Sequence, residues 1–288
     1  IFGYVGLLAV DGALQRSTMD RPKYVRYLAT IVVFLPSVSF WSSAIGKDSI
    51  AFLSVGLALW ASQDPKHQRW LMALAIGLMF VVRPHMAALL AIAFLFSIFI
   101  SSGASVLRRA IGAVLALAMA LAIVPVGVEY SGLEAEEGVA GVVAYAEVRQ
   151  GYNMHGGGGI DIADMSMAMR LFTYLFRPLP FEAHSISALA ASLDNVILFF
   201  VVLAGGWQLI KKKGRSRLQG ASFLWMYSLT AWMALSMTTA NLGISVRQKW
   251  MFVPMLLLLF ISAIGKSRRR TSVREREGAA MSIDRAAT

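Results

Sequence analysis

Three short clusters of ionisable residues stand at the ends of long apolar runs, where they could bind a charged ligand. They are Lys47–Asp48, Arg83–Pro84–His85 and Arg247–Gln248–Lys249. A guanidinium presents a planar fork of donors that matches phosphate or carboxylate, and a carboxylate such as Asp48 can deprotonate an acceptor hydroxyl. The candidate catalytic residue is therefore Asp48, and the candidate substrate-binding residues are Lys47, Arg83, His85, Arg247 and Gln248. The plainer interpretation is a helix cap, an ordinary turn and headgroup anchors.

A glycine-rich motif lies in the long stretch between residues 129 and 192. Residues 151–159 read GYNMHGGGG, and four consecutive glycines hold neither a helix nor a strand, so we expect this part to be mobile. It is either a plain linker or a loop that gates a site, with Tyr152, Asn153 and His155 available to hydrogen-bond a polar ligand. The ligands near His155 are too few for a metal site, so the sequence indicates neither a metal nor another cofactor.

An amphipathic segment and a proline-rich turn follow the glycines. Apolar residues recur at mostly helical spacing over Ile162–Phe176, which predicts a helix lying in the membrane interface. The sequence RPLPFE then spans Arg177–Glu182, where each proline biases its predecessor away from helix. We expect this turn at the level of the headgroups, with Arg177 and Glu182 as further candidate substrate-binding residues.

Membrane-spanning helices must position these residues, because the composition excludes a soluble domain. Hydrophobic residues make up 57% of the 288 positions and charged residues 15%, against about 45–50% and about 25% in soluble domains. Long uncharged runs require hydrocarbon around them, and a backbone in lipid must satisfy its own hydrogen bonds, so the runs are helices. The nine predicted segments are Ile1–Leu14, Tyr24–Ser43, Ser49–Ser62, Trp70–Val82, Met86–Ser101, Ala110–Val128, Leu193–Ile210, Ala221–Ala240 and Trp250–Gly265.

The distribution of basic residues predicts the orientation of these helices. With Lys266–Arg276 taken as cytoplasmic, alternation of the spans places 20 of the 27 Lys and Arg residues in cytoplasmic loops. The opposite face carries ten of the 16 acids and all three ionisable clusters. We therefore expect a multi-pass membrane protein with a cytoplasmic C-terminus; in a bacterium the membrane would be the inner membrane and the opposite face periplasmic or external. The net charge of +11 lies beside apolar runs, so anionic headgroups rather than nucleic acid are its expected partner.

The shared face predicts one site from the separate clusters. We expect a cleft that holds a lipid-linked phosphate or diphosphate near Arg83 and Arg247. The predicted organisation is an all-α, polytopic transmembrane bundle: helices in 1–128, an external loop with an interfacial helix in 129–192, helices in 193–265 and a basic cytoplasmic tail in 266–288. Because Ile1 already lies inside an apolar run, we expect the chain to begin within a helix of a longer protein.

Several short motifs resemble those of membrane proteins encoded with bacterial exopolysaccharide and O-antigen assembly genes. They are Leu35-Pro36-Ser37 with Phe40-Trp41-Ser42-Ser43 and Gly46-Lys47-Asp48, then Arg83-Pro84-His85, then Phe176–Glu182, and then Asn241-Leu242-Gly243 with Arg247-Gln248 and Pro254. More loosely, the chain is similar to O-antigen polymerases and to the multi-span glycosyltransferases that use polyprenyl-phosphate sugars (the GT-C type). Those enzymes usually carry a catalytic acid in their first external loop, which would lie before Ile1.

The resemblance implies an integral membrane glycosyltransferase or polymerase that acts on polyprenyl-phosphate-linked saccharides in bacterial surface-polysaccharide biosynthesis. Its partners would be the lipid-linked saccharide, membrane lipids and other polysaccharide assembly proteins. A transporter or flippase for lipid-linked glycans is the main alternative; it predicts discontinuous helices and an internal repeat, and the sequence shows no clear repeat. A non-catalytic scaffold subunit is the remaining alternative.

Overall fold

The computed structural model describes residues 1–65, 67–100, 105–107, 110–111, 114, 147–152, 158–211 and 218–265. Their regular secondary structure is helical, apart from an isolated bridge between Gly159 and Asn241. The predicted all-α class is confirmed for this part of the chain. The helices are α1 (Phe2–Thr18), α2 (Lys23–Val33), α3 (Pro36–Ser43), α4 (Lys47–Ser62), α5 (Arg69–Val82), α6 (Pro84–Ile100), α7 (Met167–Phe176), α8 (Ile186–Lys211), α9 (Ala221–Thr238), α10 (Leu242–Gln248) and α11 (Val253–Ala263), with 3-10 turns at Pro180–Glu182 and Lys249–Met251.

One helix among the described residues, α8, is long and apolar enough to cross a membrane by itself. It has 26 residues, or about 39 Å at about 1.5 Å per residue. Two bent pairs would each supply a further span: α2 with α3, bent by 42°, and Leu242–Met251 with α11, bent by 65°. The described chain therefore offers between one and three spans by length and composition, and the nine predicted segments stay a prediction.

Two predicted segments differ from the helices in an informative way. Tyr24–Ser43 is divided, because Pro36 disfavours a helical residue before it and Leu35 is extended (φ −58°, ψ 135°). Helix α7 is shorter than the predicted Ile162–Phe176, and its last four residues are buried, where it packs on α8 and α9. The second half of α7 therefore packs into the bundle, and its predicted position in the membrane interface stays a prediction. Most of Ala110–Val128 lies outside the described residues.

Helix α11 forms the centre of the bundle. All 11 of its residues are buried, and α1, α4, α8 and α9 pack around it. The outer helices instead expose large apolar side chains, including Phe34 (73%), Phe80 (63%), Phe200 (62%) and Ile210 (75%). Large apolar side chains exposed in this number are unfavourable in water and suit contact with lipid.

The C-terminal ends of α1, α4 and α11 lie together at one end of the bundle, which we call the basic end. The Ser17 hydroxyl donates to Gln63 Oε1 at 2.8 Å and so links the end of α1 to the end of α4. Arg21 Nη1 donates to the Gly265 carbonyl at 2.9 Å, just beyond α11. The first turns of α4 and α6 lie at the other end, the site end.

The packing of α4 on α1 depends on glycine, which gives a matched pair of variants. A Cβ on Gly56 would lie 2.6 Å from the Gly6 carbonyl oxygen, whereas a Cβ on Gly77 of α5 would meet nothing within 4 Å. We expect Gly56→Ala to lower the free energy of unfolding by about 1–3 kcal/mol through overpacking. Gly77→Ala should be neutral or stabilise by up to about 1 kcal/mol through helix propensity. Unfolding in detergent micelles measures both, and equal stabilities would contradict the close α1–α4 contact.

Candidate functional site

Asp48 lies between two arginines from distant parts of the chain. Its Oδ1 accepts a hydrogen bond from Arg83 Nη2 at 2.8 Å, and its Oδ2 lies 3.4 Å from Arg247 Nε. The Arg83 and Asp48 side chains are 13% and 21% exposed, and that of Arg247 is 37% exposed. We call these three residues the Arg–Asp–Arg cluster. The clusters predicted separately from the sequence therefore meet in one place.

Each member of this cluster stands where a helix begins, ends or breaks. Asp48 is in the first turn of α4, where unpaired N–H groups and the helix dipole favour a carboxylate. Gly46 before it has a φ of 142°, a conformation that favours glycine. Arg83 has a non-helical backbone (φ −149°, ψ 78°) because Pro84 follows it. Arg247 is in the last turn of α10, so the three side chains depend on three separate helix ends.

A narrow cavity with room for about one water molecule, partly open to solvent, lies beside the cluster. It is lined by Trp41, Asp48, Phe52, Arg247, Trp250 and Met251. The Arg247 guanidinium lies 5.7 Å from the centroid of the Trp41 ring, a cation–π contact. Aromatic walls next to charged groups suit a ligand with an apolar part and an anionic part.

Several buried N–H groups here have no hydrogen-bond partner within the part of the chain that the structure describes. They are Arg83 Nε, Arg247 Nε and the Trp250 indole Nε1. The 3.4 Å contact between Arg247 Nε and Asp48 exceeds the usual N–H···O range of about 2.7–3.2 Å, so it is an ion pair without a hydrogen bond. Buried donors without acceptors are unfavourable, and the two guanidinium charges exceed the single charge of Asp48. The arrangement is complementary to an added anionic oxygen.

The other predicted residues near the cluster differ in their availability. Lys47 is exposed, and His85 is partly buried in the first turn of α6. Gln248 Oε1 accepts a hydrogen bond from the Thr239 hydroxyl at 3.2 Å. Lys47 and His85 therefore stay candidates for contact with a ligand, as does the side-chain NH2 group of Gln248, because the bond from Thr239 engages only the Gln248 oxygen.

The end of the glycine-rich stretch is held against the segment that leads to Arg247. The Leu242 N–H donates to the Gly158 carbonyl at 2.8 Å, and the Ile160 N–H donates to the Ala240 carbonyl at 3.0 Å. A Cβ on Gly158 would lie 3.0 Å from the side-chain oxygen of Asn241, so the close pairing favours glycine. Positions 158 and 159 are therefore held by backbone pairing, and the mobility expected for the glycine-rich stretch stays a prediction.

The predicted ligands earlier in this loop are only partly described. Residues 147–152 are helical, and Tyr152 is 68% exposed. Gln150 Nε2 donates to the Met237 carbonyl at 2.7 Å, which holds the short helix against the end of α9. Asn153 and His155 lie outside the described residues.

Arg177 and Glu182 form a closed pair within the proline-rich turn. Arg177 Nε lies 2.9 and 3.0 Å from the two carboxylate oxygens, and its Nη2 lies 2.7 Å from Oε1. The Leu179 N–H also donates to this carboxylate at 2.9 Å. Burial acts to raise the pKa of Glu182, but the hydrogen bonds from Arg177 and Leu179 outweigh it and hold the pKa below its usual value. The pair stabilises the turn, and its predicted contact with substrate stays a prediction.

A buried polar network, which the sequence does not predict, joins both bent helix pairs to α8. Asp194 Oδ2 accepts the Ser37 N–H at 2.7 Å, at the bend between α2 and α3. Lys249, at the bend before α11, is fully buried and donates to Asn195 Oδ1. Asn195 Nδ2 donates in turn to the Pro178 carbonyl at 3.0 Å. The neighbouring residues Asp194 and Asn195 thus hold both bends, and we call them the α8 clamp.

The position of the α8 clamp explains why its buried location could not be predicted from the sequence. The apolar segment begins at Leu193, which places Asp194 at the membrane surface among the external acids. Helix α8 instead begins at Ile186, so both clamp residues lie inside the helix. Ionisable residues inside a membrane helix usually have a functional or pairing role, and the earlier helix start is the signal that would have identified this one.

Known proteins offer no guide to this arrangement. No family model matches the chain, and neither a curated protein nor a solved structure is similar to it. The geometry of the Arg–Asp–Arg cluster therefore carries the functional argument.

Proposed function

We propose that the Arg–Asp–Arg cluster binds the phosphate or diphosphate of a polyprenyl-linked saccharide. The protein would then be an integral membrane glycosyltransferase or polymerase of bacterial surface-polysaccharide biosynthesis. The observation that carries the proposal is the convergence of Arg83 and Arg247 on one carboxylate, beside a cavity with unpartnered donors. The substrate class rests on the resemblance of the sequence motifs to exopolysaccharide and O-antigen assembly proteins.

Glycosyl transfer from such a donor builds up charge on the leaving group. The acceptor hydroxyl oxygen attacks the anomeric carbon while the bond from that carbon to the phosphate oxygen breaks. The electrons of that bond leave with the polyprenyl (di)phosphate, and the acceptor proton passes to a carboxylate. Arg83 and Arg247 would stabilise the departing phosphate, since fixed donors act most strongly where charge develops.

The Asp48 side chain would adopt two conformations in this mechanism, one before and one after the substrate binds. Without substrate, its two oxygens face both arginines. A diphosphate carries more negative charge than a carboxylate and competes for the same guanidinium donors. Once displaced, Asp48 is free to accept the proton of the acceptor hydroxyl.

Helix α3 provides an apolar route from the lipid to the cavity. Phe40 is 65% exposed and packs edge-on against Trp41, with ring centroids 4.9 Å apart. Trp41 itself lines the cavity. This apolar surface, leading to charged groups, fits an isoprenoid tail with a phosphate head.

Farnesyl diphosphate, a short polyprenyl diphosphate, tests the binding step in detergent. We expect it to raise the midpoint of thermal unfolding, because a ligand that binds only the folded state stabilises it. Farnesol, which lacks the phosphates, should not. Arg247→Gln should lose the response and Arg69→Gln, an exposed arginine at the basic end, should keep it. An equal response to farnesol, or an unchanged response of Arg247→Gln, would refute the phosphate site.

The proposed site faces the outside of a bacterial inner membrane. We expect reporter fusions after Lys213 and after Arg270 to report cytoplasm, and fusions near Gly157 to report the external side, because 20 of the 27 basic residues lie in the loops assigned to the cytoplasm. An external report at Lys213 would reverse the orientation and move the proposed site to the cytoplasmic face.

The two bent helix pairs favour a second candidate, a transporter or flippase for the same lipid-linked glycans. Transporters often build their sites from discontinuous helices, and here both bends are held by buried polar groups of α8. Liposomes that contain the purified protein and a fluorescent lipid-linked sugar separate the two candidates. Movement of the unchanged lipid between leaflets supports the transporter, and a longer saccharide supports the transferase or polymerase.

A further inference from the structure

We propose that a pocket between α1 and α2 at the basic end binds the phosphate of an anionic phospholipid. The pocket has a volume of about 440 Å³, part of it open to solvent, and is lined by Gln15, Lys23, Arg26, Tyr27 and Thr30. The four residues from α2 recur at intervals of three or four positions, so they share one face of the helix. The pocket lies at the opposite end of the bundle from the Arg–Asp–Arg cluster and does not depend on its function.

The two basic side chains of this pocket are available to a ligand. Lys23 and Arg26 are exposed and make no ion pair with a described carboxylate. Gln15 Nε2 donates to Thr30 Oγ1 at 2.9 Å and to Asp11 Oδ1 at 3.3 Å, and these bonds position the polar wall. Two cations beside polar groups form a site for a phosphate, and basic pockets between membrane helices at the cytoplasmic level bind anionic headgroups.

The surface next to the pocket indicates a lipid rather than free phosphate. Tyr27 is 65% exposed, Ile31 is 53% exposed and Phe34 is 73% exposed. Their spacing places them in one line along α2, leading away from Lys23 and Arg26. A basic pocket that continues into an exposed apolar line matches the headgroup and acyl chain of a phospholipid.

The test measures thermal unfolding of the purified full chain in neutral detergent while lipid is added. We expect phosphatidylglycerol to stabilise the wild type at lower concentration than phosphatidylcholine, and inorganic phosphate to have no effect. In Lys23→Gln/Arg26→Gln, the apparent affinity for phosphatidylglycerol should fall roughly 5- to 30-fold, as expected for two basic contacts to an anionic headgroup.

Two controls keep the outcome specific. Arg69→Gln/Lys211→Gln removes the same charge from exposed positions outside the pocket and should change the affinity less than twofold. The exchange Lys23→Arg/Arg26→Lys keeps the charge, and its near-normal affinity would show that the site tolerates substitution without unfolding. Equal losses in the two glutamine pairs, an unchanged Lys23→Gln/Arg26→Gln protein, or stabilisation by inorganic phosphate alone would overturn the lipid site.

Discussion

Arg83→Lys and Arg247→Lys should each reduce surface-glycan production roughly 30- to 1000-fold. This corresponds to about 2–4 kcal/mol of barrier, the scale for losing one charge-stabilising donor. A lysine keeps the charge, but a point charge cannot replace the guanidinium fork. The effects of the two substitutions on glycan production should be non-additive, because both arginines would stabilise the same transition state and either substitution alone removes much of their joint effect. The assay is glycan production by the full-length protein in a strain that lacks its own copy, with membrane abundance checked by immunoblot.

The competing interpretation makes the opposite prediction. If the arginines only anchor helix ends at the headgroups, lysine reaches the same region and both variants are nearly silent. Arg69→Lys, at an exposed position of the basic end, controls for the general effect of the exchange. Normal glycan from both lysine variants at normal abundance would remove the phosphate-binding role.

Asn195→Leu should destabilise the protein by about 1.5–3 kcal/mol, the scale for losing a hydrogen bond to a charged group. The buried ammonium of Lys249 would lose the Asn195 oxygen, and the Pro178 carbonyl would lose its donor. Adding Lys249→Met removes the orphaned charge, so we expect the double variant to be more stable than Asn195→Leu alone. Unfolding in detergent micelles measures each free energy.

The comparison of single and double variants is the decisive part. If the bond between Lys249 and Asn195 contributes nothing, the two substitutions act independently and their effects add. Simple additivity would therefore contradict the role of Asn195 in holding Lys249. A double variant that recovers stability but loses glycan production would show that the buried lysine also serves function.

The sequence predicts the helices better than the contacts between them. Uncharged runs such as Trp70–Val82 specify a helix by composition alone, and the break at Arg83 follows from Pro84. The meeting of Asp48 with Arg83 and Arg247 could be expected only as a shared face, because the pairing depends on how α4, α6 and α10 pack.

Other features required three-dimensional contacts. Arg177 and Glu182 look like free polar groups in the sequence, but the fold of the turn brings them together at 2.7 Å. Lys249 belongs to the cluster Arg247–Gln248–Lys249, whose charges suggest a position on the protein surface. The fold nevertheless buries Lys249 completely, next to α8. The charge of a residue indicates which kind of partner it requires. Whether that residue is buried depends on helices that are distant in the sequence.

The α8 clamp also imposes an order on biosynthesis. Ser37 and Asp194 are 157 positions apart, so at about 5–20 residues per second the ribosome needs roughly 8–30 s to supply the partner of the first bend. Lys249 follows Asn195 by 54 positions and therefore emerges when its acceptor has already been made. The nascent chain thus holds its first bend without the clamp while those 157 residues are made, but it never has to insert the buried lysine before a partner exists.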